Sequence, residues 1–324
     1  MKPPAMRKVI VTGGTGFIGR AVVAELRTRF PQAEIIPVGS GVVDIADEHA
    51  FFDWLAQVRA EGEIDHLIHL AALYKAGDWP VHHPATQFNV NLKLNVNTLE
   101  GWAKIIPEAK LTSIVSYCMY PSLPHAHPEE ELYGHEPEDY LFAYAFAKKA
   151  LLIGQRAYRQ EYGLNSASVV LPTVYGPGDS FAENSHVVGA LIGKFVRAAQ
   201  SGAADVEVWG DGTQEREFLY VGDAVDGIIK IALQSSEPVL NLGMGDARSI
   251  ADLAGWIRDA AGFKGAIRYN NNRFVGVKTR KLDVSRMRQR LGWSAPTSLP
   301  DGLAQTVRWY EAELAGGAPA TVHA

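Results

Sequence analysis

The chain has 324 residues, 47% of them hydrophobic and 21% charged, with a net charge of −5 at neutral pH. That length supports one large domain or two unequal ones, and the mild negative balance offers no general attraction to nucleic acid or to an acidic membrane surface. No apolar run is long enough to span a bilayer. The opening residues "MKPPAMRKVIVTGG" lack a signal-peptide pattern, and Cys118 is the only cysteine, so a cytoplasmic protein without disulfides is expected.

The first half alternates short apolar runs with amphipathic stretches. Residues 8–13, 34–38, 66–72, 113–118 and 167–171 read as buried strands, and 17–30, 47–60, 85–104 and 140–163 as helices. Such alternation implies right-handed crossovers and a Rossmann-type, doubly wound parallel α/β sheet. After residue 171 the rhythm changes: a Pro/Gly-rich loop, a helix over 186–201, a strand over 216–221 and a helix over 221–233. A run at 238–243 and helices over 249–262 and 298–314 follow. The expected organisation is a nucleotide domain over 1–171 with returning segments near 216–243. A smaller α/β substrate-binding domain over most of 172–315 and a disordered tail at 316–324 complete it.

"VTGGTGFIG" sets Gly13, Gly16 and Gly19 at GxxGxxG spacing between the first strand and first helix. The first glycine permits the tight turn, the second lets backbone approach a pyrophosphate, and the third lets helix and strand pack closely. Thr15, Phe17 and Ile18 lie in the same loop and helix start. The spacing resembles the extended short-chain dehydrogenase/reductase superfamily over nearly the whole chain. That resemblance implies cofactor contacts from Asp44 and Ile45 in "DIAD", and from Leu70, Ala71 and Ala72 in "HLAA". After the second strand come Gly39, Ser40 and Gly41, with neither an acid before Asp44 nor an arginine. NADP(H) is favoured because no carboxylate repels a 2′-phosphate there, and NAD(H) stays open.

"YAFAK" puts Tyr144 and Lys148 four residues apart on one helix face, with Ser116 28 residues before Tyr144 at a strand end. A lysine ammonium beside a phenol favours the phenolate, and a serine hydroxyl can hold a carbonyl oxygen. Ser116, Tyr144 and Lys148 match the superfamily's hydride-transfer triad. "SYCMYP" and "NSHVVGALIGKF" resemble corresponding segments of the GDP-L-fucose synthases. That family resemblance implies proton transfer by Cys118 and His186 at the carbons flanking a ketone. It also implies nucleotide-sugar contacts from Asn184, Lys194, Trp209, Arg216 and Lys281, whereas Lys278 and Arg280 read as surface charge. Ser116 and Cys118, two residues apart in a strand, are expected to face the same side.

Three segments depart from the family pattern: "LYKAGDWPVHHP" (73–84), Thr173 in "LPTVYGP", and "GVKTRK" (276–281). A changed sugar pocket beside an intact acid–base set points to a related nucleotide sugar. The leading expectation is an NADP-dependent epimerase/reductase acting on a GDP-linked 4-keto-6-deoxy sugar. The alternatives are an NAD-dependent epimerase like the GDP-mannose 3,5-epimerases, without net redox change, and a non-catalytic NADP-binding regulatory protein. No metal ligand is assigned. The family resemblance implies a homodimer packed through the helices near 85–104 and 140–163.

Overall fold

The apolar runs become strands because helices cover both of their faces. The computed structural model describes residues 6–137, 139–273 and 275–316, so all of the expected tail but Gly316 lies outside the described residues. The first half runs β1 (Lys8–Thr12), α1 (Phe17–Arg29), β2 (Glu34–Val38), α2 (Glu48–Ala60), β3 (His66–His69), α3 (Trp79–His82), α4 (Pro84–Ile105), β4 (Lys110–Ser116), β5 (Ala126–His127) and α5 (Phe142–Tyr162). There follow β6 (Ser166–Leu171), β7 (Thr173–Tyr175), α6 (Val187–Ser201), β8 (Asp205–Trp209), β9 (Glu215–Tyr220), α7 (Val221–Gln234) and β10 (Val239–Asn241). The chain ends with β11 (Ala247–Ser249), α8 (Ile250–Ala260), β12 (Ala266–Asn270), β13 (Lys281–Leu282), α9 (Ser285–Leu291) and α10 (Leu299–Ala315).

Six strands form the central sheet in the order β10-β6-β4-β3-β1-β2, and every pairing is parallel. Phe51, Leu55, Trp102 and Leu151 pack one face of it, from α2, α4 and α5. Val22, Leu26 and Ile228 pack the other, from α1 and α7. The doubly wound Rossmann-type α/β fold expected from the alternation is therefore present. A third core, with Phe195, Ile257 and Val307, joins α6, α8 and α10 to a small sheet ordered β11-β9-β7 and to the pair β12-β8. Of the segments near 216–243, β10 joins the central sheet, α7 packs on α1 and β9 lies in the small sheet.

Chain order reverses between β1 and β3, so a crevice opens beyond their carboxyl ends. Gly13 sits there at φ +68°, and a Cβ on it would lie 2.7 Å from the Ala71 nitrogen. The loops after β1 and β3 are thus in backbone contact. A Cβ on Gly19 would lie only 2.0 Å from the Gly13 carbonyl oxygen, so α1 can start this close to the loop only with glycine.

Gly19→Ala is expected to push α1 off the loop and cost about 1–3 kcal/mol. Urea denaturation should show the loss, and nicotinamide fluorescence should show loss of dinucleotide binding. An unchanged midpoint would mean that α1 can slide without penalty.

Candidate active site

The glycine loop leads into α1 with Gly16 at the N-cap and no side chain capping it. No acidic residue occupies the first turn. Its first N–H groups therefore point into the crevice without a carboxylate competing for them, the arrangement an anion requires. Thr15 and Gly16 are exposed, Phe17 and Ile18 half-buried and Gly19 buried. A Cβ on Gly39 would meet the Thr15 hydroxyl at 2.3 Å, which places exposed Ser40 beside the loop. The Asp44 carboxylate accepts the Ala46 N–H at 2.9 Å and so shapes its own turn, while Ile45 is buried. Leu70 and Ala71 are half-buried and Ala72 exposed along the loop after β3. Arg20, which the sequence reading passed over, donates to the carbonyls of Thr15 at 2.8 Å and Gly178 at 3.0 Å. It sets a guanidinium at the rim of the crevice.

Ser116 ends β4, and the chain then turns through a 3-10 segment, Tyr117–Met119. This corrects the expectation that Ser116 and Cys118 share one side of a strand. The Ser116 hydroxyl oxygen accepts the Cys118 N–H at 3.3 Å, so a capped turn holds the two residues together. The same hydroxyl hydrogen-bonds the Cys118 side chain and works against the effect of burial on its thiol.

Cys118 packs with Leu141, Tyr144 and Ala145, and Tyr74 and Tyr140 lie against this cluster. Tyr74 joins the two halves of the site. Its ring meets Tyr144 edge-on at 4.9 Å between centroids and the His186 imidazole at 5.1 Å. His186 occupies the N-cap position of α6, but its side chain makes no capping bond. Tyr74 belongs to the 73–84 segment, whose departure from the family pattern obscured it.

Electrostatics assign the resting protonation states. Burial pushes the Cys118 thiol up, with Ser116 and Arg280 pulling the other way, so it rests protonated. Burial lowers His186 to about 4, so it rests as a neutral imidazole. Burial also raises Tyr144 and lowers Lys148 to about 8. The sequence led us to expect Lys148 to favour the phenolate. In the structure its ammonium donates instead to the Ile114 carbonyl at 2.9 Å and lies 5.6 Å from the Tyr144 ring centre, and desolvation wins.

Of the expected nucleotide-sugar contacts, only Lys194 and Trp209 are seen in contact with each other. Lys194 and Arg273 lie over the indole of Trp209, at 5.1 and 5.2 Å. Lys194 also pairs with Glu183 at 3.4 Å, and the Trp209 Nε1 is buried without a partner among the described residues. Asn184 is exposed, with its carbonyl near Gly77. Arg216 and Tyr140 both crowd Gly276, where a Cβ would fall 3.0 and 2.8 Å from their side chains.

Lys281 lies in β13 opposite Ala126, and no contact among the described residues ties it to the Cys118 cluster. Its neighbour Arg280 takes that place and is not surface charge: it is 4% exposed, with the guanidinium 5.6 Å from the Tyr117 ring centre. Its Nε is buried without a partner, and among the described residues no carboxylate pairs with it. A desolvated, uncompensated cation is costly. Tyr117 beneath it is held by Thr173, hydroxyl to hydroxyl at 2.9 Å.

Because Cys118 is the only thiol, alkylation reports on it alone. Its iodoacetamide reactivity should be slow at neutral pH and rise on the alkaline side. Arg280→Met should move that rise further upward and slow alkylation several-fold at fixed pH. Superimposable profiles would show that the guanidinium does not act on the sulfur.

Comparison with known proteins agrees with this geometry. The model of the NAD dependent epimerase/dehydratase family matches residues 9–243. The probable GDP-L-fucose synthase 1 of Oryza sativa subsp. japonica is 32% identical over 315 residues, covering 94% of this chain and 92% of that protein. The GDP-L-fucose synthase of Escherichia coli K12 is 32% identical over 319 residues, covering 94% and 96%. A GDP-L-fucose synthetase from Naegleria fowleri superposes with a TM-score of 0.85 at 25% identity, covering 97% of both chains. Its form bound to NADP gives 0.82, covering 96% of this chain and 94% of that one. The chain belongs to the NAD-dependent epimerase/dehydratase family, among its GDP-L-fucose synthase-like members.

Proposed function

We propose that this enzyme is an NADP-dependent epimerase/reductase acting on a GDP-linked 4-keto-6-deoxy sugar. The observation that carries the reading is the joining of Ser116, Cys118 and Tyr144 to His186 through the Tyr74 ring. A dinucleotide fits the crevice because Gly13 and Gly19 leave room for backbone contact and the start of α1 is uncapped. When bound, its reduced nicotinamide supplies the hydride. NADP over NAD is supported by the absence of an acid directly after β2, by exposed Ser40 beside Thr15, and by Arg20 at the loop.

The residues divide the work as follows. Ser116 and Tyr144 hold the ketone oxygen, which makes the protons on the adjacent carbons acidic. Inverting a carbon takes a lone pair on one side of the sugar ring and a proton on the other. Neutral His186 and protonated Cys118 hold that complement at rest, one of each. At reduction Tyr144 gives its proton to the oxygen as the carbonyl carbon accepts hydride. The Lys148 ammonium stabilises the phenolate that results. Lys194 and Arg273 around Trp209, with Arg216, supply cations and an aromatic face for the nucleotide diphosphate end. Homodimer formation through α4 and α5 is supported by Val96, Phe142, Phe146 and Ile153, apolar side chains exposed on those two helices.

Purified enzyme supplied with GDP-4-keto-6-deoxymannose should oxidise NADPH. Tyr144→Phe should lower that turnover at least about 100-fold while cofactor binding persists. Cys118→Ser should suppress solvent-deuterium incorporation beside the ketone. Turnover that leaves nicotinamide absorbance unchanged would favour an epimerase without net redox, and undiminished activity of the Tyr144 variant would overturn the hydride-transfer assignment.

Lys148 is lowered to about 8, so its charge is present below that pH and lost above it. Reductive turnover should therefore fall through an alkaline limb with a midpoint near that value. A profile that stays level across it would show that the ammonium is not required.

A further inference from the structure

A second cluster of ionisable side chains lies outside the active site, on the segment that leaves the Cys118 turn. His127 stands in β5, His125 in the loop before it, and Glu131 in the 3-10 segment Glu129–Tyr133, at H-x-H-x3-E spacing. His125 Nε2 lies 2.9 and 3.1 Å from the two carboxylate oxygens of Glu131, and His127 Nδ1 lies 2.5 Å from one of them. The three groups offer one ligand atom each, all within 4.8 Å of one another.

The base of the cluster is rigid and its mouth is open. The His127 side chain is 0% exposed, its ring lying nearly parallel to Tyr120 at 5.0 Å and 14°. Its carbonyl accepts from Asn241 Nδ2 at 2.8 Å and from the Asp283 N–H at 2.9 Å. Its Nε2 is buried without a partner, so Nδ1 is the one ring nitrogen with anything to bind. The side chains of His125 and Glu131 are 49% and 28% exposed, which leaves a path from solvent. Among the described residues no lysine or arginine pairs with Glu131, so the carboxylate has two imidazoles as its only side-chain partners.

We propose that His125, His127 and Glu131 form a binding site for a divalent cation of the zinc class. Two imidazole nitrogens and one carboxylate suit zinc, with water completing a tetrahedron. Bonds of about 2.0–2.1 Å in that geometry separate ligand atoms by roughly 3.3 Å. The present separations reach that value through small rotations of exposed His125 and Glu131, with His127 fixed. β5 pairs with β13 directly after Arg280, so the ion ties the segment leaving the Cys118 turn to its own 3-10 turn and firms the support behind Arg280. The site is independent of the reaction proposed above.

The test is zinc alone, titrated into chelator-stripped full-length protein in competition with a chromophoric zinc indicator, followed by thermal denaturation. The expected result is one zinc per chain and a raised melting temperature. His125→Ala and Glu131→Gln should each weaken binding at least about tenfold and abolish the thermal shift. His125 is half exposed, so its replacement leaves the core intact. Cobalt should give the visible bands of a tetrahedral site in wild type and Cys118→Ser, and lose them in His125→Ala. Equal zinc affinity in wild type and His125→Ala, or no stoichiometric binding, would overturn the site.

Discussion

One buried hydrogen-bonded chain fixes the glycine loop relative to the helix that carries Tyr144 and Lys148. Asn95 on α4 donates through Nδ2 to the Ala147 carbonyl on α5 at 2.9 Å, so its oxygen is what faces His69. The His69 Nε2, at 3.2 Å from that oxygen, must then carry the hydrogen, and Nδ1 accepts from the Thr12 hydroxyl at 2.7 Å. Burial lowers His69 to about 3, so this tautomer persists at any working pH. Thr12 immediately precedes the glycine loop and Ala147 immediately precedes Lys148. The chain thus spans β1, β3, α4 and α5, and it sets the separation between the glycine loop and Lys148. Two more asparagines of α4 hold the flanking loops: Asn91 bonds the Leu73 backbone and Asn97 the Ile45 carbonyl.

On that frame the site is tuned by desolvation more than by ion pairing. Cys118, Tyr144, Lys148 and His186 are all shifted toward their uncharged forms. A pocket of neutral acids and bases suits enolisation, where protons move on and off carbon and charge exists only on the way. Arg280 is the exception: a buried cation paired with no carboxylate among the described residues, near the Cys118 thiol and the Tyr117 and Tyr140 phenols. It lies on the loop leading into β13, outside the central sheet.

The parts of the protein fixed by short-range sequence patterns were readable in advance. Apolar runs such as "KVIVTG" gave the parallel strands, and the glycine spacing gave the loop because only glycine avoids the 2.0 Å clash at position 19. Short strands of the small domain were missed. "DVEVW" alternates buried Val206 and Val208 with charged Asp205 and Glu207, and "AIRYN" stands largely exposed, so neither shows the continuous apolar run of a strand buried on both faces. Tyr117 and Cys118, the first two residues of the 3-10 turn, fall within the strand expected over 113–118, because periodicity cannot distinguish a buried 3-10 turn from a strand end. Tyr74 and Arg280 were invisible for a different reason. Their roles arise from contacts with residues more than a hundred positions away, His186 for one and Tyr117 for the other, which no local pattern encodes.

That contrast separates the parts of the candidate site set by the sheet from those set by a loop. Ser116, Tyr144 and Lys148 sit at a strand end and on a helix, positions set by the sheet and by the Asn95 chain. The 73–84 segment is mostly loop, entered from β3 and anchored by Asn91 at Leu73, so its tip can change without disturbing that frame. Here the segment sets the Tyr74 ring between Tyr144 and His186 and adds an aromatic surface there. Thr173 and Gly276 act in the same direction, the first by holding Tyr117 and the second by making room for Arg216 and Tyr140. Through Tyr74, Tyr117 and Tyr140, the three departures from the family pattern all reach residues on or packed against the Cys118 turn. They alter the surroundings of that turn and leave Ser116, Tyr144 and Lys148 in place.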